Sequence, residues 1–117
     1  MTRGEVWTVS GGPDYAGKPP AVIVQDDVFD ATASITICPF TTHVAAAPLL
    51  RLDIEPSTEN GLRAASQLMI DKITTVSKNK LESRVGRLSV EDIVRLNRAV
   101  LVFLGLAGSA SSARGSD

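Results

Sequence analysis

The strongest constraint on this chain is the spacing of short β-like runs along its first ninety residues, followed by a single helical segment. Glu5-Val6-Trp7-Thr8-Val9 alternates polar and apolar residues, as a half-buried strand does. The Gly/Pro-rich stretch from Gly11 to Pro20 reads as a long loop. Ala21-Val22-Ile23-Val24-Gln25 is a continuous β-branched run, suited to a central strand covered on both sides. Ser34–Phe40 alternates again, and Pro39 is expected to end its pairing. Leu50–Ile54, Ser66–Ile70, Ile73–Val76 and Arg84–Leu88 complete the series, with Asn60-Gly61 a turn signal and Ser77 the cap of a single turn through Leu81. Strands this short and this closely spaced predict a small β-barrel or a strongly bent antiparallel sheet.

The character changes at Ser89. Ser89-Val90-Glu91-Asp92 has the form of a capped helix start, with acids where the helix dipole favours them. Ile93, Leu96, Val100, Phe103 and Leu104 recur at helical spacing, and Gly105 suits a left-handed end. Val94 and Leu101 widen the apolar face, so the helix is expected to contact more than its own sheet. Residues 1–107 therefore read as one domain, and the Gly/Ala/Ser-rich stretch 108–117 as a disordered tail.

Composition narrows the function classes. Only 4% of the 117 residues are aromatic, so the core rests on Val, Ile, Leu and Ala. Twelve Lys and Arg face thirteen Asp and Glu, a balance that lacks the cationic surplus needed to grip duplex nucleic acid without regard to sequence. A small, locally positive site is still compatible with it. Cys38 is the sole cysteine, which rules out an intramolecular disulfide and a cysteine-based zinc cluster; its apolar setting reads as a small buried hydrophobe. The start has no apolar signal region and no apolar run approaches a bilayer span, so the expectation is a soluble cytoplasmic protein without a membrane partner.

Few residues offer chemistry. No phosphate-binding P-loop, nucleophile elbow or zinc-binding helix motif is present, and His43, the sole histidine, cannot build a multi-histidine metal site. What remains is polar groups at strand ends: Thr41, Thr42 and His43 after an apolar strand, and Asp14 and Lys18 in the long loop. Asp71-Lys72 interrupts an apolar stretch. Each also has a plain reading: a solvated threonine pair, an exposed charged turn.

Arg3–Trp7, Gly17–Asp27, Pro39–Thr42, Asp71–Val76 and Gly86–Leu88, taken in this order, resemble five segments of the MazF/PemK family of toxin endoribonucleases. Arg3-Gly4-Glu5-Val6-Trp7 is similar to the family's Arg-Gly-acid-(Ile/Val)-Trp opening, and Gly17-Lys18-Pro19-Pro20 through Asp27 to its Gly-x-Arg-Pro segment with the following strand. Pro39-Phe40-Thr41-Thr42 resembles its Pro-(Leu/Phe)-Thr-(Ser/Thr), Asp71–Val76 its Asp-Gln-Ile-Arg-Thr, and Gly86-Arg87-Leu88 its Gly-Arg-Leu. The resemblance implies an SH3-like β-barrel with a C-terminal helix, and a homodimeric type II toxin paired with a cognate antitoxin protein. It further implies cleavage of single-stranded RNA with no metal or other cofactor, leaving a cyclic phosphate and a 5′-hydroxyl. Thr41 and Asp71 match family positions and, with Lys18 as the cation beside a replaced arginine, are the catalytic candidates; Arg3, Asp14, Gln25, Thr42, His43 and Lys72 are the RNA-binding ones. Two family arginines are replaced, one by Pro19 and one by Thr74, and Lys18 is the neighbouring cation. A gyrase-binding toxin of the related CcdB type, which the missing arginines would suit, is the alternative.

Overall fold

The structure, a computed structural model, describes residues 1–10 and 19–107. Among the described residues seven strands and one α-helix follow in order: β1 (Glu5–Val9), β2 (Pro20–Ile23), β3 (Ser34–Thr41), β4 (Arg51–Ile54), β5 (Ser66–Met69), β6 (Thr74–Ser77), β7 (Leu81–Arg87) and α1 (Val90–Phe103). The sheet runs β4-β5-β3-β2-β1-β7, all antiparallel, with β6 also paired to β3. Its ends do not pair with each other among the described residues, so the expected barrel is a bent sheet left open.

The bend is carried by β3. Its first half pairs with β6, through Ile37 opposite Thr74, and its last two residues pair with β5, through Phe40 opposite Leu68. Pro39 therefore does not end the strand, contrary to the sequence expectation. Val24 N–H donates to Thr36 O, so even-numbered backbone groups of β3 face β2 and Pro39 faces the other edge. There it falls in the gap between β6 and β5, where no ladder donor is needed.

Both faces of β2 are covered, as its continuous apolar run predicts. Val22 packs with Cys38, Phe40, Leu68 and Leu96 in the core between sheet and helix. Ala21 and Ile23 point the other way, to Ile35, Ile37 and Leu81. Ser89 caps α1, its side chain accepting from Asp92 N–H at 3.1 Å, and Gly105 closes the helix at φ +73°. Only Leu96 of α1 is fully buried, while Val94 and Leu101 stay 42% and 44% exposed. Gly61, at φ +71°, ends the Asn60 turn so close to β7 that a Cβ would lie 2.0 Å from Val85 O. Strand ends shift by a residue or two from the expected ones, and β7 begins at Leu81 rather than Arg84.

Candidate nucleic-acid groove

A groove of about 300 Å3 opens on the sheet face opposite α1. Its floor is Ala21, Ile37 and Pro39; its walls include Pro19, Lys72, Thr74 and Lys80. The strand pleat explains the grouping. Ile37 stands opposite Thr74 and Ala21 opposite Pro39, so these four side chains share one face of three adjacent strands. Thr41, two residues beyond Pro39, projects to that same face at the end of β3.

The positions at which the resemblance places family arginines, Pro19 and Thr74, both line this groove. Its walls nevertheless carry two ammonium groups. Lys72 and Lys80 are exposed, and neither forms an ion pair among the described residues. Lys72 was expected from sequence; Lys80 was not. The signal for Lys80 lay in Lys78-Asn79-Lys80, a short turn before β7 that aims one lysine into the groove and leaves the other to pair with Asp30.

The remaining candidates are spread more widely. Thr41 Oγ1 accepts from His43 N–H at 3.1 Å, which folds the start of the β3–β4 connection back on the strand. Thr42 lines a second hollow, with Thr8, Leu62 and Arg63. Asp71 is ion-paired with Arg51 and borders a hollow beside α1, together with Arg3 and Phe103. Its carboxylate thus anchors the short turn that presents Lys72 rather than opening into the groove. Arg3 Nε donates to Val24 O at 2.8 Å and its N–H to Asp27 Oδ1, and Arg3 is not among the residues that line the groove. Gln25 is spent on the 26–34 segment: its Nε2 donates to Phe29 O and Thr32 Oγ1, and its Oε1 accepts from Thr36 N–H. Asp14 and Lys18 lie outside the described residues.

Two further residues went unnoticed in the sequence. Arg51 supplies the guanidinium that holds Asp71. Gln67 is a buried amide in the middle of β5, and its polarity directly before the apolar run Leu68-Met69-Ile70 was the available signal. Cys38 is fully buried, and burial together with the Asp71 charge pushes its thiol up to about 12, against a lowering by Arg51, so it has no thiolate to offer at neutral pH. Among the described residues no three His, Cys, Asp or Glu side chains cluster as metal ligands, and no helix is long and apolar enough to cross a membrane.

Residues 2–104 match the family described as PemK-like, MazF-like toxin of type II toxin-antitoxin system. The chain belongs to this family. A probable endoribonuclease MazF of Mycolicibacterium smegmatis is 56% identical over 109 residues, covering 92% of this chain and all of that one. An endoribonuclease MazF of Staphylococcus saprophyticus is 27% identical over 112 residues, 91% of this chain and 92% of its own. Among solved structures, an endoribonuclease in complex with its cognate antitoxin from a mycobacterial species superposes with a TM-score of 0.75 at 24% identity, covering 93% of this chain and 97% of that one. These likenesses do not favour the CcdB-type alternative.

Proposed function

We propose that this MazF/PemK toxin is an endoribonuclease that cuts single-stranded RNA in the Pro39–Thr74 groove and acts in the cytoplasm as a homodimer under the control of a cognate antitoxin. The observation that carries the reading is the coincidence of groove and motifs: three of the five family-like segments line the groove, at Pro19, Pro39 and Thr74 in particular. Its open, partly apolar floor suits unpaired bases, which can be splayed onto protein, whereas a duplex would hide them.

In-line attack by the ribose 2′-oxygen on the neighbouring phosphorus expels the 5′-oxygen and leaves a cyclic phosphate. The crowded, doubly charged phosphorane then needs donors fixed in place. Lys72 and Lys80 supply charge from the groove walls, Thr41 supplies a hydroxyl at its end, and Lys18 is assigned the cation beside Pro19. Asp71 acts at one remove, holding with Arg51 the turn that carries Lys72. Lysine gives a compact point charge without the two-pronged grip of arginine, so phosphorane binding is weaker than with the family pair.

Cleavage of a single-stranded RNA, with end-group analysis and with EDTA present, tests the reading. The expected result is EDTA-resistant cutting that yields 5′-hydroxyl ends, reduced about 100-fold by Thr41→Ala. Pro19→Arg should raise the rate about ten-fold. A flat response to Pro19→Arg would show that the groove does not use that position. Gyrase inhibition without any RNA cutting would sink the nuclease reading altogether.

A further inference from the structure

Gln67 is 4% exposed, yet it is an amide at the centre of a strand where Leu68 beside it fills the core. Burying a carboxamide is unfavourable unless each of its groups is satisfied, so its partners show what the position is for. Its Oε1 accepts from Ala45 N–H at 3.0 Å, and its Nε2 donates to Ala45 O at 3.2 Å and to Asp53 Oδ1 at 2.8 Å. The amide thus grips one residue of the β3–β4 connection by both backbone groups, as a neighbouring strand would. Among the described residues, no other side chain outside residues 41–51 hydrogen-bonds this connection. The other bonds there are local, such as those from Leu50 and Arg51 N–H to Ala47 O, apart from the one from Ile70 N–H to Leu50 O at the β4 end.

Register adds the link to the chemistry. Gln67 stands directly opposite Thr41 on one side and Asp53 on the other, so the three side chains form one row across β3, β5 and β4. The clamp is therefore adjacent to the threonine at the groove's end, and it fixes the loop that leaves from that threonine. Val44, in the clamped loop, keeps 67% of its surface in solvent while Ala45 is held from beneath.

We propose that Gln67 is a positioning residue for substrate choice: by clamping Ala45 it sets the shape of the 42–48 loop, and that loop selects the bases of a single-stranded RNA next to the bond cut at Thr41. The inference rests on the endoribonuclease reading. It makes a division of labour: the lysines and Thr41 serve any phosphate, while the clamped loop discriminates among bases.

The experiment compares the full-length protein with Gln67→Leu and Gln67→Glu on a pool of random-sequence single-stranded RNA, with cut sites read by sequencing. Gln67→Leu removes all three hydrogen bonds at similar volume. Gln67→Glu can still accept from Ala45 N–H but loses both donations and faces Asp53 with like charge. The expected result is a broadened cut-site profile for both variants. On the preferred site KM should rise about ten-fold, with kcat at saturation within about two-fold. Amide exchange at Ala45 should speed up in step. A purely structural role would lower melting temperature and activity on all sequences alike, leaving the profile unchanged. If Gln67→Leu fails to fold, Gln67→Glu or Asp53→Ala, which removes one acceptor from the same row, decides the matter. Unchanged profile and KM in a folded variant overturn this inference alone; a wild-type protein that cuts no RNA overturns the underlying reading instead.

Discussion

At Pro19 and Thr74, where the family resemblance would place arginines, the groove carries no guanidinium, and among the described residues its charge sits on Lys72 and Lys80. An ammonium attracts a phosphate strongly but constrains its orientation little, so under the proposed function these lysines would act on RNA chiefly through charge. That has a measurable signature. Each phosphate contact to a single strand releases counterions and contributes about −0.7 to the slope of log affinity against log salt. Lys80→Ala should therefore weaken RNA binding and flatten that slope by about 0.7, without altering melting temperature, because Lys80 is exposed and forms no ion pair among the described residues. An unchanged slope, read by fluorescence titration of a labelled RNA at several salt concentrations, would remove Lys80 from the RNA path. Lys80 also marks a limit of reading by sequence. Its neighbour Lys78 differs from it by two positions and pairs with Asp30, and only the turn between them decides which lysine enters the groove.

Among the elements, β1 and β7 form the longest edge pairing, and one carboxylate is built into it. Glu5 Oε1 accepts from Thr2 N–H at 2.8 Å and from the Trp7 indole at 3.1 Å, while Oε2 meets Arg84 Nε of β7 at 2.9 Å. Burial alone would raise this carboxyl, but the hydrogen bonds and the arginine outweigh it and hold it below the ordinary value of 4.5. A carboxylate lowered on folding stabilises the native state above its unfolded value, and that contribution fades as pH falls through the folded one. Glu5→Gln should therefore cost about 1 kcal/mol near neutral pH, a figure reduced for the exposure of Arg84. The gap to wild type should hold from about pH 8 to 6 and close as pH drops below 4.5. Urea unfolding across that range measures it; a gap that widens in acid would reverse the assigned sign. The elements themselves were largely legible in sequence, since alternation and helical spacing are set by which face meets the core. Pro39 was not, because its effect depends on which partner strand is missing beside it, and that is a property of the sheet. The site shows the same division. Thr41 and Lys72 sit in family-like segments, whereas Gln67, Arg51 and Lys80 gain their meaning from strands brought together by folding.

At the scale of the whole molecule, the near-balance of charge and the helix surface point in one direction. Leu101, Phe103 and Leu104 expose 44%, 43% and 58% of their surface at the end of α1, with Val94 two turns earlier. Asn97 lies four residues before Leu101 and seven before Leu104, on the same stripe, and its Oδ1 is buried without a hydrogen-bond partner among the described residues. The exposed apolar stripe, and not the inward-facing Asn97 acceptor, is the surface suited to a second copy. A net charge of −1 sets up little long-range repulsion between copies. The expected outcome is a dimer by light scattering at about 10 μM, a concentration at which interfaces of ordinary size are filled. Replacing Leu101 and Leu104 by Asp should give a monomer with the fold intact by circular dichroism, because neither side chain belongs to the core cluster that holds Leu96. A wild-type monomer at that concentration, or a double variant that still pairs, would move the interface off this helix. The dimer also bears on the groove: α1 packs on the sheet face opposite it, so association through the helix leaves Lys72, Lys80 and Thr41 open to RNA. Monomeric double variant should then retain RNA binding while losing the pairing, which separates the two surfaces in a single titration.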